Sequence, residues 1–446
     1  MSSTDDTREP DDYPSKSHEF PEPTTEEFAQ FREWVDNPHR YAREWKERTD
    51  GHVVAFLCTY APREILYAGG MLPVRPYGGH QGDELVLGDE YHSEKMFCPF
   101  SRDVLTQGIL GRYDYTDGVV LASTCLALRQ TYQSWTNQVA EDGDFAHYFV
   151  MPHGTQAEGG SEYLSRKLGT VEYEGPTTGM CPHAPAEYLA MQFRELKEAV
   201  EEWTGSEITD ADLEEAIEVY DRNRRLTREL YEYRKGDDPA ISGLEAMEMV
   251  KAGHLVDPKE HNELLASALE RLEDGGGERR DTDYRLMVVT AENDDRRFMR
   301  LVEEDIAFDA TVVVEESCVG TRDFWNMVDD DGPAWGVPDD SDPIDDLGRR
   351  YANRPPCPSK DWGSREEQLR LLAEEFDVDG ALLIQEKRCD LHERDIPLEQ
   401  HLLEEELDVP ALALESDETG LPAGQFKTRV EAFVEQLRSE ELDALF

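Results

Sequence analysis

Apolar positions along the chain switch between two periods. Between residues 25 and 48 they recur at helical spacing, with Phe28, Phe31, Trp34 and Val35 on one face. His52–Tyr60 is instead an unbroken apolar run, which predicts a buried strand. Pro62–Gly70 predicts a helix that stops at two glycines, and Leu72–Arg75 an extended segment. Pro99–Leu110 predicts a helix with proline in its first turn. Asp117–Thr124 reads as a strand, Leu126–Trp135 as a helix and Phe145–Met151 as a strand. Residues 186–272 change character, with long charged amphipathic helices over Tyr188–Trp203, Asp210–Tyr233 and Asp257–Leu272. Alternation then returns: strands at Arg285–Thr290, Thr311–Ser317, Gly380–Ile384 and Ala411–Glu415, and helices at Arg296–Glu304, Arg365–Glu375, Leu398–Leu407 and Thr428–Leu437. Residues 328–346 read as an acidic loop. Strands alternating with helices predict parallel sheets. The expected class is α/β, two parallel-sheet domains around a helical insert. The expected divisions are a disordered acidic arm (1–24), an N-terminal α/β domain (25–185), a helical connector (186–280) and a C-terminal α/β domain (281–446).

The pattern also places cysteines. Three segments repeat an aspartate, a small residue, an apolar run and then cysteine: Asp117 to Cys125, Asp309 to Cys318 and Asp379 to Cys389. Each cysteine falls just beyond the carboxyl end of a strand, where open α/β sheets bind their ligands. Cys98 and Cys125 also precede helices, whose N-termini stabilise thiolates. The chain has seven cysteines, at 58, 98, 125, 181, 318, 357 and 389, and no CxxC pair. Zinc ribbons, thioredoxin-type redox pairs and clustered ferredoxin runs are therefore disfavoured. Two readings stand: buried structural thiols, or a sulfur-only site assembled from distant loops, which suits an iron–sulfur cluster.

Charge narrows the partners. The chain carries 99 Asp+Glu against 45 Lys+Arg, a net charge of −54, and only 11 of the cations are lysine. Such a chain offers nucleic acid no basic patch and is repelled by an anionic membrane. Acid spread along the whole sequence fits a halophile's protein, kept soluble in molar salt where the Debye length is about 3 Å. The Pro-rich acidic N-terminus is neither a signal nor a transit peptide, no apolar run could span a membrane, and a cytoplasmic location is expected. No P-loop, GxGxxG, HExxH or GxSxG occurs.

Several segments in order resemble the cluster-bearing subunits of 2-hydroxyacyl-CoA dehydratases and benzoyl-CoA reductases. They are Cys58–Arg75, Phe97–Gly111, Asp117–Trp135, Leu213–Leu230, Ile241–Gly243, and Cys389 with Gly424–Leu437. The resemblance implies flavodoxin/Rossmann-like domains and a [4Fe–4S] cluster held by three cysteines, with one iron open to a substrate oxygen. Carried onto this sequence, the ligands are Cys98, Cys125 and Cys389, with Cys318 the competitor for third place. Cys58 reads as a strand-core residue, and Cys181 and Cys357 fall outside the motifs. Glu64 is implied as the acid/base, and Arg102 as facing the cluster or the CoA phosphates. The implied reaction eliminates water from a 2-hydroxyacyl-CoA through a ketyl radical, after one-electron reduction by an ATP-dependent activator protein. A related second subunit, or a second copy, is the implied partner. The alternatives are a benzoyl-CoA-reductase-like enzyme, a double-cubane reductase needing roughly twice the thiolates, and a cluster-poor subunit without catalysis. CoA is polyanionic, so its site must be a local basic exception, for which Arg75, Arg102 and Arg129 are the candidates.

Overall fold

A computed structural model of the chain describes residues 20–80, 84–91, 96–152, 184–277, 279–292, 294–328, 342–359, 362–416 and 423–444. Cys181, most of the expected N-terminal arm and most of the expected acidic loop lie outside the described residues.

Eight strands form two separate four-stranded sheets. The first contains β1 (His52–Phe56), β2 (Met71–Val74), β3 (Gly118–Ser123) and β4 (Phe145–Val150), in the order β2-β1-β3-β4. The second contains β5 (Tyr284–Thr290), β6 (Ala310–Glu316), β7 (Gly380–Glu386) and β8 (Ala411–Ser416), in the order β6-β5-β7-β8. Every pairing is parallel. Parallel sheets are covered on both faces, which explains the unbroken apolar runs: β3 and β6 are buried along their whole length. Pro73 is tolerated in β2 because that strand is an edge and needs fewer donors. Gly118 is required where β3 meets β4, since a Cβ there would lie 2.5 Å from the Phe145 carbonyl oxygen. The chain therefore has the expected α/β class, consistent with two flavodoxin/Rossmann-like sheets.

Three details depart from the expected elements. The apolar run from His52 stops being strand at Phe56, and Leu57–Ala61 turns away, with the Ala61 amide donating to the Cys58 carbonyl at 2.9 Å. Cys58 thus lies past the strand end. The helix Gly243–Ala252 was not expected; all ten of its residues are buried, Glu245, Glu248 and Lys251 included, and Ser242 with Glu245 forms its capping box. The helix expected from Leu398 begins at Asp390, with Cys389 as its N-cap, and it runs through Pro397 to His401. Pro397 resembles a helix start in sequence and masks the earlier turn.

Candidate functional site

Each sheet reverses its winding at one strand. In the first, β1 is followed by β2 on one side and β3 on the other; in the second, β5 is flanked likewise by β6 and β7. Ligand crevices of open α/β sheets form outside the carboxyl ends of such strands. Here both reversal points open on one cavity of about 90 Å³.

All six cysteines of the described residues line it: Cys58, Cys98, Cys125, Cys318, Cys357 and Cys389. None is in a disulfide. Cys58 follows β1, Cys125 follows β3, Cys318 follows β6 and Cys389 follows β7. Cys98, Cys125 and Cys389 share a further property: each is the N-cap of a helix, respectively Pro99–Ile109, Leu126–Gln138 and Asp390–His401. Cys125 Sγ accepts the Leu128 amide at 3.5 Å. A thiolate at any of these positions would face the positive end of a helix dipole. The other three sit in loops. Cys58 Sγ contacts Thr124 Oγ1 at 3.4 Å, and Cys357 Sγ contacts Ser359 Oγ at 2.7 Å.

The remaining wall mixes apolar and charged groups. Phe100, Leu128, Pro358 and Leu391 supply apolar surface, and Arg75, Glu292 and Glu386 supply charge. Burial pushes the Cys389 thiol up to about 12, with Glu386 and Cys125 adding to the rise. Burial likewise pushes Cys318 up to about 12, against the pull of Arg322. Cys98 stands well above the usual thiol range, from burial first and then from Glu386 and Cys389. Glu386 is itself raised well above the carboxyl range by burial, then by Glu292 and Asp294, while its hydrogen bond with Cys98 works the other way. Burial thus raises these thiols and the Glu386 carboxyl together.

Among the described residues, no three His, Cys, Asp or Glu side chains converge closely enough for a single metal ion. A cluster makes a different demand, because each thiolate binds a different iron and the sulfurs stay apart. Thiols on separate strand ends and helix starts around one cavity fit that demand. Cys98, Cys125 and Cys389 are brought together, and Cys318 lies on the same cavity. Cys58 and Cys357 join them, although the sequence reading set both aside.

Neither Glu64 nor Arg102 lines the cavity. Glu64 is fully buried against Arg224 and accepts the Tyr351 hydroxyl at 2.8 Å. Burial would raise its carboxyl, but Arg224 and Arg350 outweigh that and hold it at about 2. This geometry ties the helix Arg63–Ala68 to the helices Asp210–Glu232 and Pro343–Asn353. Arg102 is buried and donates through Nε to Asp89 at 2.6 Å. Glu292 and Glu386 were not singled out from the sequence. Their signal was the one that marked the cysteines, a position at the end of a strand.

The family model described as "2-hydroxyglutaryl-CoA dehydratase, D-component" matches residues 58–437. The (R)-phenyllactyl-CoA dehydratase beta subunit of Clostridium sporogenes is 24% identical over 92% of this chain and 98% of its own length. The (R)-2-hydroxyglutaryl-CoA dehydratase beta subunit of Acidaminococcus fermentans is 21% identical over 85% of this chain and 90% of its own. A benzoyl-CoA reductase subunit from Thauera aromatica is 28% identical, but over 51% of this chain and 52% of its own, so there the match spans about half of each protein. The match over most of its length establishes that the chain belongs to the 2-hydroxyglutaryl-CoA dehydratase D-component family.

Proposed function

We propose that this chain is the iron–sulfur subunit of a 2-hydroxyacyl-CoA dehydratase-type enzyme, with a [4Fe–4S] cluster on Cys98, Cys125 and Cys389. The observation that carries the reading is one cavity lined from both sheets by three cysteines that each stand at the N-cap position of a helix. Bound there, the cluster would supply a low-potential electron to a thioester carbonyl. The chain's own residues have three tasks. The three thiols give up their protons as the cluster loads. Phe100, Leu128 and Leu391 exclude water. Glu386 and Glu292, the carboxyls that line the cavity among the described residues, would face a bound acyl group. A related second subunit or a second copy completes the enzyme, and an ATP-dependent activator supplies the electron. Neither nucleic acid nor a membrane enters the reading, and among the described residues no helix is long and apolar enough to cross a membrane.

A second reading is favoured by Cys58, Cys318 and Cys357, which line the same cavity. It is a double-cubane cluster, with twice the iron and a reductive activity in place of dehydration. Iron and sulfide analysis of anaerobically purified protein separates the two. About four irons per chain supports the first and about eight the second. An iron-free chain would leave a subunit without the chemistry.

A further inference from the structure

We propose that Glu292, held in place by Arg75, reads the 2-hydroxyl of the substrate and so selects 2-hydroxyacyl thioesters over those without the hydroxyl. The inference rests on the cavity being the acyl site of the enzyme proposed above.

Glu292 lies two residues beyond β5, at the reversal point of the second sheet, and only 7% of it is exposed. Its Oε2 accepts from Arg75 at 2.6 Å. Arg75 reaches it from beyond β2, crossing from the first sheet, with its guanidinium 5.2 Å from the Tyr77 ring centre and 5.6 Å from that of Phe100. Arg75, Asp294, Arg322, Glu386, Cys318 and Tyr77 all face this carboxyl, which burial raises and Arg75 lowers. Both members of the pair line the cysteine cavity. Glu292 Oε1, however, has no hydrogen-bond partner among the described residues. A buried carboxylate oxygen without a donor is costly, and a ligand that brings one recovers the difference. A 2-hydroxyacyl thioester brings one hydroxyl, on the carbon beside the thioester. A benzoyl thioester brings none. One acceptor oxygen beside the thiols is thus complementary to the first class and indifferent to the second.

The test uses the anaerobically purified full chain with its partner subunit, its cluster oxidised so that no turnover occurs. Binding is measured for (R)-phenyllactyl-, lactoyl- and (R)-2-hydroxyglutaryl-CoA, each against its counterpart lacking the 2-hydroxyl. The wild type is expected to prefer the hydroxy member of at least one pair by roughly tenfold or more. In Glu292→Gln the amide oxygen can stay on Arg75 and the NH₂ replaces Oε1. The preference should shrink to about threefold or less, with the hydroxyl-free counterpart bound as before. A residue that only supported the fold would weaken both members alike. If Glu292→Gln fails to fold, Glu292→Asp keeps the charge, withdraws the oxygen and reads the same ratio. An undiminished preference in the folded variant overturns the proposal. A wild type that holds iron but treats every pair alike overturns the role of Glu292 alone. A wild type without iron overturns the reading of the cavity as well.

Discussion

Away from the cysteine cavity, buried arginines are matched by carboxylates. Arg63 takes both oxygens of Asp323 at 2.9 Å, Arg365 reaches Glu316 at 2.8 Å and Asp395 at 3.2 Å, and Arg234 pairs with Glu315 at 2.8 Å. The cavity wall is built otherwise. Among the described residues, six thiols and two carboxyls line it, and Arg75 is the one arginine that does. Burial raises the thiols of Cys58, Cys98, Cys125, Cys318 and Cys389, whereas the ion-paired Asp323 is held far below its usual range, because burial there is outweighed by Arg63 and His254. The first region is neutralised within the fold. The second gathers groups that burial raises, and loading a cluster would exchange the protons of its thiols for the positive charge of iron.

That contrast can be broken or sharpened in order of effect. Cys98→Ala, Cys125→Ala or Cys389→Ala should each abolish stable iron binding while the apo chain keeps its melting profile within about 1–2 kcal/mol, since a thiol-to-methyl change at a cavity wall removes little packing. Iron analysis and calorimetry on the same samples check both halves. Glu64→Gln should do the reverse. It leaves Arg224 buried with one partner fewer and should cost about 3–5 kcal/mol of stability, read by denaturant unfolding. The surviving fold should still bind iron, because Glu64 is not part of the wall.

pH separates the regions further. Neutral thiols must lose protons to ligate, so iron loading should strengthen steadily from pH 6 to 9, by up to about tenfold per unit for each thiol. A flat profile would contradict neutral thiols. The ion pairs respond at both extremes. The folded Glu64 carboxyl lies at about 2, below its ordinary 4.5, so its contribution is present above 4.5 and lost as pH falls through about 2. His80 is opposite in sign. Burial lowers it, but Asp294 and Asp295 outweigh that and raise it to about 9. Its contribution is present below 6.5 and lost as pH rises through about 9. His80→Asn should remove the alkaline loss, a smaller effect of about 1 kcal/mol because the ring is partly exposed.

The sheets were legible because parallel strands buried on both faces leave apolar runs that no helix period explains. All eight expected strands exist, and errors concentrate at ends, as at Leu57, where nothing in the run marks the turn. The helix Gly243–Ala252 was invisible for the opposite reason, being buried all round. In the site, Cys98, Cys125 and Cys389 carried local signals, a strand end or a helix start. Cys357 carried none. It sits in a proline-rich loop and reaches the cavity only through tertiary placement, with its amide donating to the Tyr60 hydroxyl at 3.3 Å. Arg102 and Glu64 were singled out through the family resemblance. Their partners, Asp89 and Arg224, are identifiable only in three dimensions.

The central claim is that the cysteine cavity holds one four-iron cluster. Iron and acid-labile sulfide per chain, measured on protein purified without oxygen, test it most directly. The account predicts about four of each, falling to the background level in Cys125→Ala. A folded wild-type chain with less than about one iron, or a Cys125→Ala variant with undiminished iron, would contradict it.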